Sequence, residues 1–195
     1  MYIICDLYIV HWNLAMKIDI LLSGAGGQGL MSLGKVIAAA AIKENKFATY
    51  FPSYGPEVRG GTAYCYIKIS DAPIASPLVE NPDVAIILNQ QSLDKFRNQL
   101  DRECVLISNS DLIQNKPSLT AKKIIYLPLS RFALECGDVK CANVVALGVL
   151  ICLKPETLKQ ETIIGILKEI FSTNNSMLNI NIKALSKGQE AARNL

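Results

Sequence analysis

Hydrophobic positions along this chain come as short runs that stop at turn residues, and most runs are followed by a stretch with helical spacing. Residues 17–23 (KIDILLS) form an apolar run ending at Gly24, the mark of a buried parallel strand. Gly24-Ala25-Gly26-Gly27-Gln28-Gly29 follows, and residues 30–45 are rich in Ala, Leu, Ile and Lys, with Gly34 small enough for a helix to lie close on a sheet. The order is strand, glycine turn, helix. Residues 47–51 predict a second strand broken by Pro52, residues 62–70 (TAYCYIKIS) a third, and residues 83–89 (DVAIILN) another buried one. One Pro and three Gly in the nine residues 53–61 exclude regular structure there. A helix over 92–100 capped by Ser92 and a strand over 104–108 complete a βαβ unit, and residues 123–127 predict a further core strand. Beyond it the pattern turns helical: a helix starting at 130–136, one over 143–153 that is apolar all round, helical spacing of Leu158, Ile163, Leu167 and Ile170, and a last amphipathic helix over 179–194.

These elements predict an α/β fold, a Rossmann-like doubly wound and mostly parallel sheet with helices on both faces, in one domain over 17–195. Residues 1–16 stand apart. The stretch MYIICDLYIVHWNLA is apolar, carries the only Trp and the only His, and has neither a basic start nor a small-residue cleavage signal. It is read as an extension with Met16 as the true start, against a competing reading as an added strand or an interface-binding tail.

Composition narrows the function classes. With 195 residues, 50% of them hydrophobic, the chain can bury a substantial core and is not a disordered protein. A net charge of +3, with no basic run longer than Lys122-Lys123, argues against nucleic acid as a partner. No stretch reaches the ~18 apolar residues that cross a bilayer. The six cysteines (Cys5, Cys65, Cys104, Cys136, Cys141 and Cys152) form no CxxC pair, so neither a zinc site nor a cluster has its ligand spacing; no metal is expected, and the thiols read as small buried groups in a reducing cytoplasm.

Two loops carry the candidate chemistry. Gly24, Gly26 and Gly29 satisfy GxGxxG directly after a strand and opening a helix, a setting in which backbone N–H groups face an anion. A dinucleotide site would also want an acid at the end of the second strand, where the chain reads Tyr50-Phe51-Pro52-Ser53; Glu44 comes too early. No Walker lysine follows the glycines either. The competing view is that the glycines serve only a tight turn and close helix packing. The second loop interleaves Tyr54, Glu57 and Arg59 with Gly55, Gly60 and Gly61, and should lie at the carboxyl edge of the sheet, where open α/β sheets bind ligands. Arg59 offers a planar fork for phosphate or carboxylate, Glu57 can pair with it, and Tyr54 can pack on a ring or a partner surface; an Arg59–Glu57 pair that merely pins the loop is the alternative. No nucleophile and base form a pair, so no catalytic residue is expected in this chain.

The glycine turn, the string PSYGPEVRGGTA over 52–63, SLDKF over 92–96, ANVVALG over 142–148 and NIKALSKG over 181–188 together resemble the gamma subunit of 2-oxoacid:ferredoxin oxidoreductases, nearest the 2-oxoglutarate type, within the pyruvate/ketoisovalerate gamma-domain family. The resemblance runs from Lys17 to Ala192. It implies a subunit of an oxygen-sensitive enzyme that decarboxylates a 2-oxoacid, transfers the acyl group to coenzyme A and reduces ferredoxin. Its partners would be alpha and beta subunits, with a delta subunit in some forms. Thiamine diphosphate with Mg2+ would lie between alpha and beta, and 4Fe-4S clusters in beta or delta. The functional edge carried over is Gly24, Gly26, Gly27, Gln28 and Gly29 for the GxGGQG turn, with Tyr54, Gly55, Glu57, Arg59, Gly60, Gly61 and Thr62 for the YGPExRGG loop and the residue after it. The rival readings are a free-standing nucleotide or coenzyme-binding protein of the same fold, and a scaffold that binds nothing.

Overall fold

The computed structural model describes residues 16–53 and 62–195; the extension and most of the second loop lie outside them. Six strands form one sheet in the order β2-β3-β1-β4-β5-β6, with β1 Lys17–Ala25, β2 Phe47–Ser53, β3 Thr62–Ser70, β4 Val84–Ile87, β5 Val105–Asn109 and β6 Lys123–Leu127. β1, β4, β5 and β6 are parallel, as the unbroken apolar runs predict. β3 is antiparallel to both β1 and β2, so the sheet is mixed at this end. The reason is length: residues 54–61 are too few for the crossover of a dozen or more residues that a parallel neighbour needs. Pro52 does not end β2, because β2 is an edge strand, where a missing N–H is tolerated.

The helices are α1 Leu30–Lys43, α2 Gln90–Phe96, α3 Leu129–Cys136, α4 Ala142–Leu153, α5 Gln160–Ile170 and α6 Asn175–Arg193. They cover the two faces unequally. Ile20, Leu22, Ile67, Ile86 and Ile107 on one face pack into a single core with α1 and α3 to α6. On the other face Leu21, Ala85, Ile87 and Leu106 meet Leu93 and Phe96 of α2, and Leu100 and Ile113 beyond it. Two predicted starts shift for capping reasons. Asn89, not Ser92, caps α2 by accepting from the Ser92 N–H, and Asn174 caps α6 from the Met177 N–H, so that helix begins before 179. α5 runs Gln160–Ile170, so of the four spaced residues Leu158 lies just before the helix and Ile163, Leu167 and Ile170 within it.

α4 is buried almost throughout and packs on α6 through two glycines. A Cβ on Gly148 would collide with the Leu185 carbonyl oxygen, and one on Gly188 with that of Val145. These backbones touch directly. At the C-terminal end of α1 Glu44 closes that helix against α5, accepting from the Lys159 N–H at 2.7 Å and pairing with Lys46 at 3.3 Å. Burial resists its ionisation, but the bonds from Lys159, Thr162 and Lys46 prevail and hold its carboxyl below the usual glutamate value.

Candidate functional site

The glycine turn follows from β1 and α1 lying close at the carboxyl edge of the sheet. Gln28 folds back so that its side-chain oxygen accepts from the Ala25 N–H at 2.7 Å, and it fills the space that a Cβ on Gly24 would occupy. Gly27 and Gly29 sit at φ of +90° and +70°, a region costly for side-chain-bearing residues. Gly29 is constrained twice, because its carbonyl accepts from the Asn143 side chain at 3.0 Å and a Cβ would meet that amide. Gly26 and Gly27 are exposed, and nothing lies within 4 Å of the place a Cβ on Gly27 would take. The turn is therefore fixed at both ends and open at its crest, where the first N–H groups of α1 have no partner within the helix.

A cavity of about 270 Å³ opens beside this crest, between Gly27 and Gln28 on one side and Leu88, Leu112, Ser130 and Lys140 on the other. Ala142, the first residue of α4, also lines it. Lys140 takes part in none of the ion pairs among the described residues. A second cleft of about 220 Å³ lies on the other side of the turn, against Ala25, Met31 and Ala63. A mostly apolar cavity with one free cation and a helix N-terminus at its mouth suits a ligand with an anionic group on an apolar or ring-bearing body.

Only the residues that flank the second loop can be placed beside the glycine turn. Ala25 pairs with Thr62 and Gly24 with Ala63, while Ser53 pairs with Tyr64, so the described residues flanking the second loop border the glycine turn. Tyr54, Gly55, Glu57, Arg59, Gly60 and Gly61 lie outside the described residues, and Thr62 is half-buried at the head of β3. Glu44 is occupied at the far end of α1, in keeping with the lack of a ribose-binding acid. Lys140, Ser130 and Asn143 join the site from the far half of the chain. Asn143 stood within the ANVVALG string, but nothing local in the sequence marks Lys140 or Ser130.

Of the described cysteines, Cys65, Cys104 and Cys141 are buried, and Cys136 and Cys152 only partly. Burial pushes the thiols of Cys65 and Cys104 up to about 12 and that of Cys141 up to about 11, so all three stay protonated. Among the described residues no three of His, Cys, Asp and Glu gather as metal ligands would. Nor is any described helix long and apolar enough to cross a membrane.

Known proteins with this architecture point one way. The gamma subunit of keto/oxoacid ferredoxin oxidoreductase from Geobacter sulfurreducens is 31% identical and superposes with a TM-score of 0.77, over 91% of this chain and 99% of that one. The 2-oxoglutarate synthase subunit KorC of Methanocaldococcus jannaschii is 35% identical over 92% of this chain and 96% of its own length. The ketoisovalerate oxidoreductase subunit VorA of Methanothermobacter thermautotrophicus is 33% identical over 91% of this chain, which spans only 37% of that longer relative. A 2-oxoglutarate:ferredoxin oxidoreductase from Magnetococcus marinus, at 23% identity, shares the fold with a TM-score of 0.82 over 92% of this chain, again as 31% of a longer one. The likeness in the two loops thus extends over the whole sheet, and the model of the pyruvate ferredoxin/flavodoxin oxidoreductase family matches residues 19–191: the chain belongs to that family.

Proposed function

We propose that this chain is the gamma subunit of a cytoplasmic, multi-subunit 2-oxoacid:ferredoxin oxidoreductase, with 2-oxoglutarate as the favoured substrate. In that role it supports the CoA-dependent oxidative decarboxylation of the 2-oxoacid to acyl-CoA and CO2, with electrons passed to ferredoxin. The observation that carries the reading is the match, nearly end to end, with two separate subunits of such enzymes, at 96% and 99% of their lengths.

The site supports a non-catalytic share of this chemistry. Its dispersed cysteines, among them the buried Cys65 and Cys104 that stay protonated, do not fit an iron–sulfur cluster, which together with thiamine diphosphate and Mg2+ is assigned to the alpha, beta or delta companions. What the chain offers is an anion-binding edge. The amides at Gly26, Gly27 and Gly29 and the Lys140 ammonium would take a phosphate of coenzyme A, with Gln28 holding Gly24 and Ala25 in place. Tyr54, Gly55, Glu57, Arg59, Gly60, Gly61 and Thr62 would close the same edge, Arg59 as a fork toward phosphate or a partner carboxylate and Tyr54 at the subunit contact.

The test is anaerobic isolation of the tagged chain from its host, followed by viologen reduction with a panel of 2-oxoacids with and without coenzyme A. CoA-dependent reduction, fastest with 2-oxoglutarate, by a preparation containing thiamine-binding and iron–sulfur companions is the expected result. A lone chain that binds a nucleotide and reduces nothing would replace this reading with that of a free-standing coenzyme-binding protein.

A further inference from the structure

Asn109, the last residue of β5, is a buried polar side chain that neither the glycine turn nor the core accounts for. Its side-chain oxygen accepts from the backbone N–H groups of Asp111 at 3.3 Å and Ser130 at 3.4 Å. That fixes the orientation of the amide, because the reverse one would set an NH2 group against two N–H donors. The amide nitrogen therefore faces Ser130 and donates to its Oγ at 2.8 Å. A hydroxyl that accepts on this side must turn its own proton elsewhere. Among the described residues nothing takes that proton. The Asp111 carboxylate is engaged by the N–H and Nε of Arg131, at 2.9 and 3.2 Å. Ser130 is half-buried at the second position of α3 and lines the cavity that Gly27, Gln28 and Lys140 also line.

We infer that Ser130 determines specificity at this cavity, its hydroxyl donating to a phosphate oxygen of the bound coenzyme, and that Asn109 is the positioning residue that keeps the hydroxyl turned that way. The inference rests on the coenzyme reading above. A tetrahedral phosphate presents acceptor oxygens in several directions, so donors converging from separate elements suit it better than they suit a flat carboxylate. Here they come from three elements: the amides at the crest before α1, the Lys140 ammonium from the turn before α4, and the Ser130 hydroxyl from α3. The ammonium holds an anion as a point charge, whereas the hydroxyl adds direction. Since Asn109 sits on the sheet and Ser130 on the helix laid beside its edge, the direction is set when the chain folds and costs nothing when the ligand arrives.

The test measures viologen reduction against coenzyme A concentration in the anaerobic complex of this chain with its companions, for wild type, Ser130→Ala, Ser130→Thr, Asn109→Asp and Lys140→Ala. In Ser130→Ala the KM for coenzyme A should rise about tenfold, the loss of one hydrogen bond to a charged group, with kcat changed less than about twofold. Ser130→Thr keeps the hydroxyl and should stay within about twofold of wild type. Asn109→Asp keeps the oxygen that holds the two backbone N–H groups but sets an acceptor against Ser130, so the hydroxyl turns inward and KM should rise as it does in Ser130→Ala. Combining Ser130→Ala with Asn109→Asp should add nothing further. Equal KM in wild type and Ser130→Ala, or equal rises in Ser130→Ala and Ser130→Thr, overturns the inference; if Lys140→Ala still raises KM, the coenzyme reading survives. A further rise in the double variant removes Asn109 from the positioning role. Should Asn109→Asp fail to fold, the two Ser130 variants still decide. Reduction by wild type that needs no coenzyme A, or a KM that neither Lys140→Ala nor Ser130→Ala moves, ends the coenzyme reading of the cavity itself.

Discussion

Glycine does opposite work in two parts of this molecule. Gly27 and Gly29 take positive φ at a crest that opens to solvent and to a cavity, whereas Gly148 and Gly188 are ordinary helical residues whose missing side chains let two backbones touch. The first pair supplies conformation, the second proximity. Substitution should separate them, because added bulk at Gly27 meets empty space while added bulk between α4 and α6 meets carbonyl groups that cannot move aside.

The largest effect is expected from Gly188→Ala. Its Cβ would run into the Val145 carbonyl, and parting α4 from α6 disrupts the main core, so a loss of about 3 kcal/mol or more is expected in chemical denaturation. Gly27→Ala sharpens the contrast: only the backbone strain applies, roughly 1–2 kcal/mol, while coenzyme affinity should drop more than stability does. Similar losses of stability for the two variants would break the comparison. Glu44→Gln, remote from both glycine pairs, should cost about 1 kcal/mol by weakening the α1–α5 clasp. The contribution of its carboxylate is present above the ordinary glutamate pKa and disappears as pH falls through the lower folded value, so in acid the variant and wild type should converge in melting temperature. Lys140→Ala should leave melting unchanged and weaken binding of phosphate-bearing coenzyme about fivefold, with a shallower salt dependence in a titration.

Much of this contrast was legible in the sequence, for a local reason. The glycine turn between an apolar run and a helix is written in consecutive residues, as are the buried strands at 84–87 and 105–109 and the apolar α4. The reversal of β3 was not, because strand direction depends on what a short connection can span rather than on strand composition. Pro52 misled for a related reason: its cost depends on whether β2 has an outer neighbour, which is a property of the whole sheet. Lys140 and Ser130 entered the site unforeseen, since their only link to Gly27 is the return of the chain across the sheet more than a hundred positions later. The close approach at Gly148 and Gly188 was carried only as part of two family-like strings, without its physical reason.

The bond from Asn143 to the Gly29 carbonyl has a thermodynamic consequence. Asn143 stands at the start of α4, whose middle is packed backbone to backbone on α6, so the glycine turn is anchored to that helix pair. Its backbone is ordered when the chain folds, not when a ligand arrives. Coenzyme binding at this edge should therefore carry little conformational entropy penalty from the turn itself. Loosening the anchor with Asn143→Ala would shift that penalty from folding to binding, and a calorimeter would record it as a more unfavourable binding entropy.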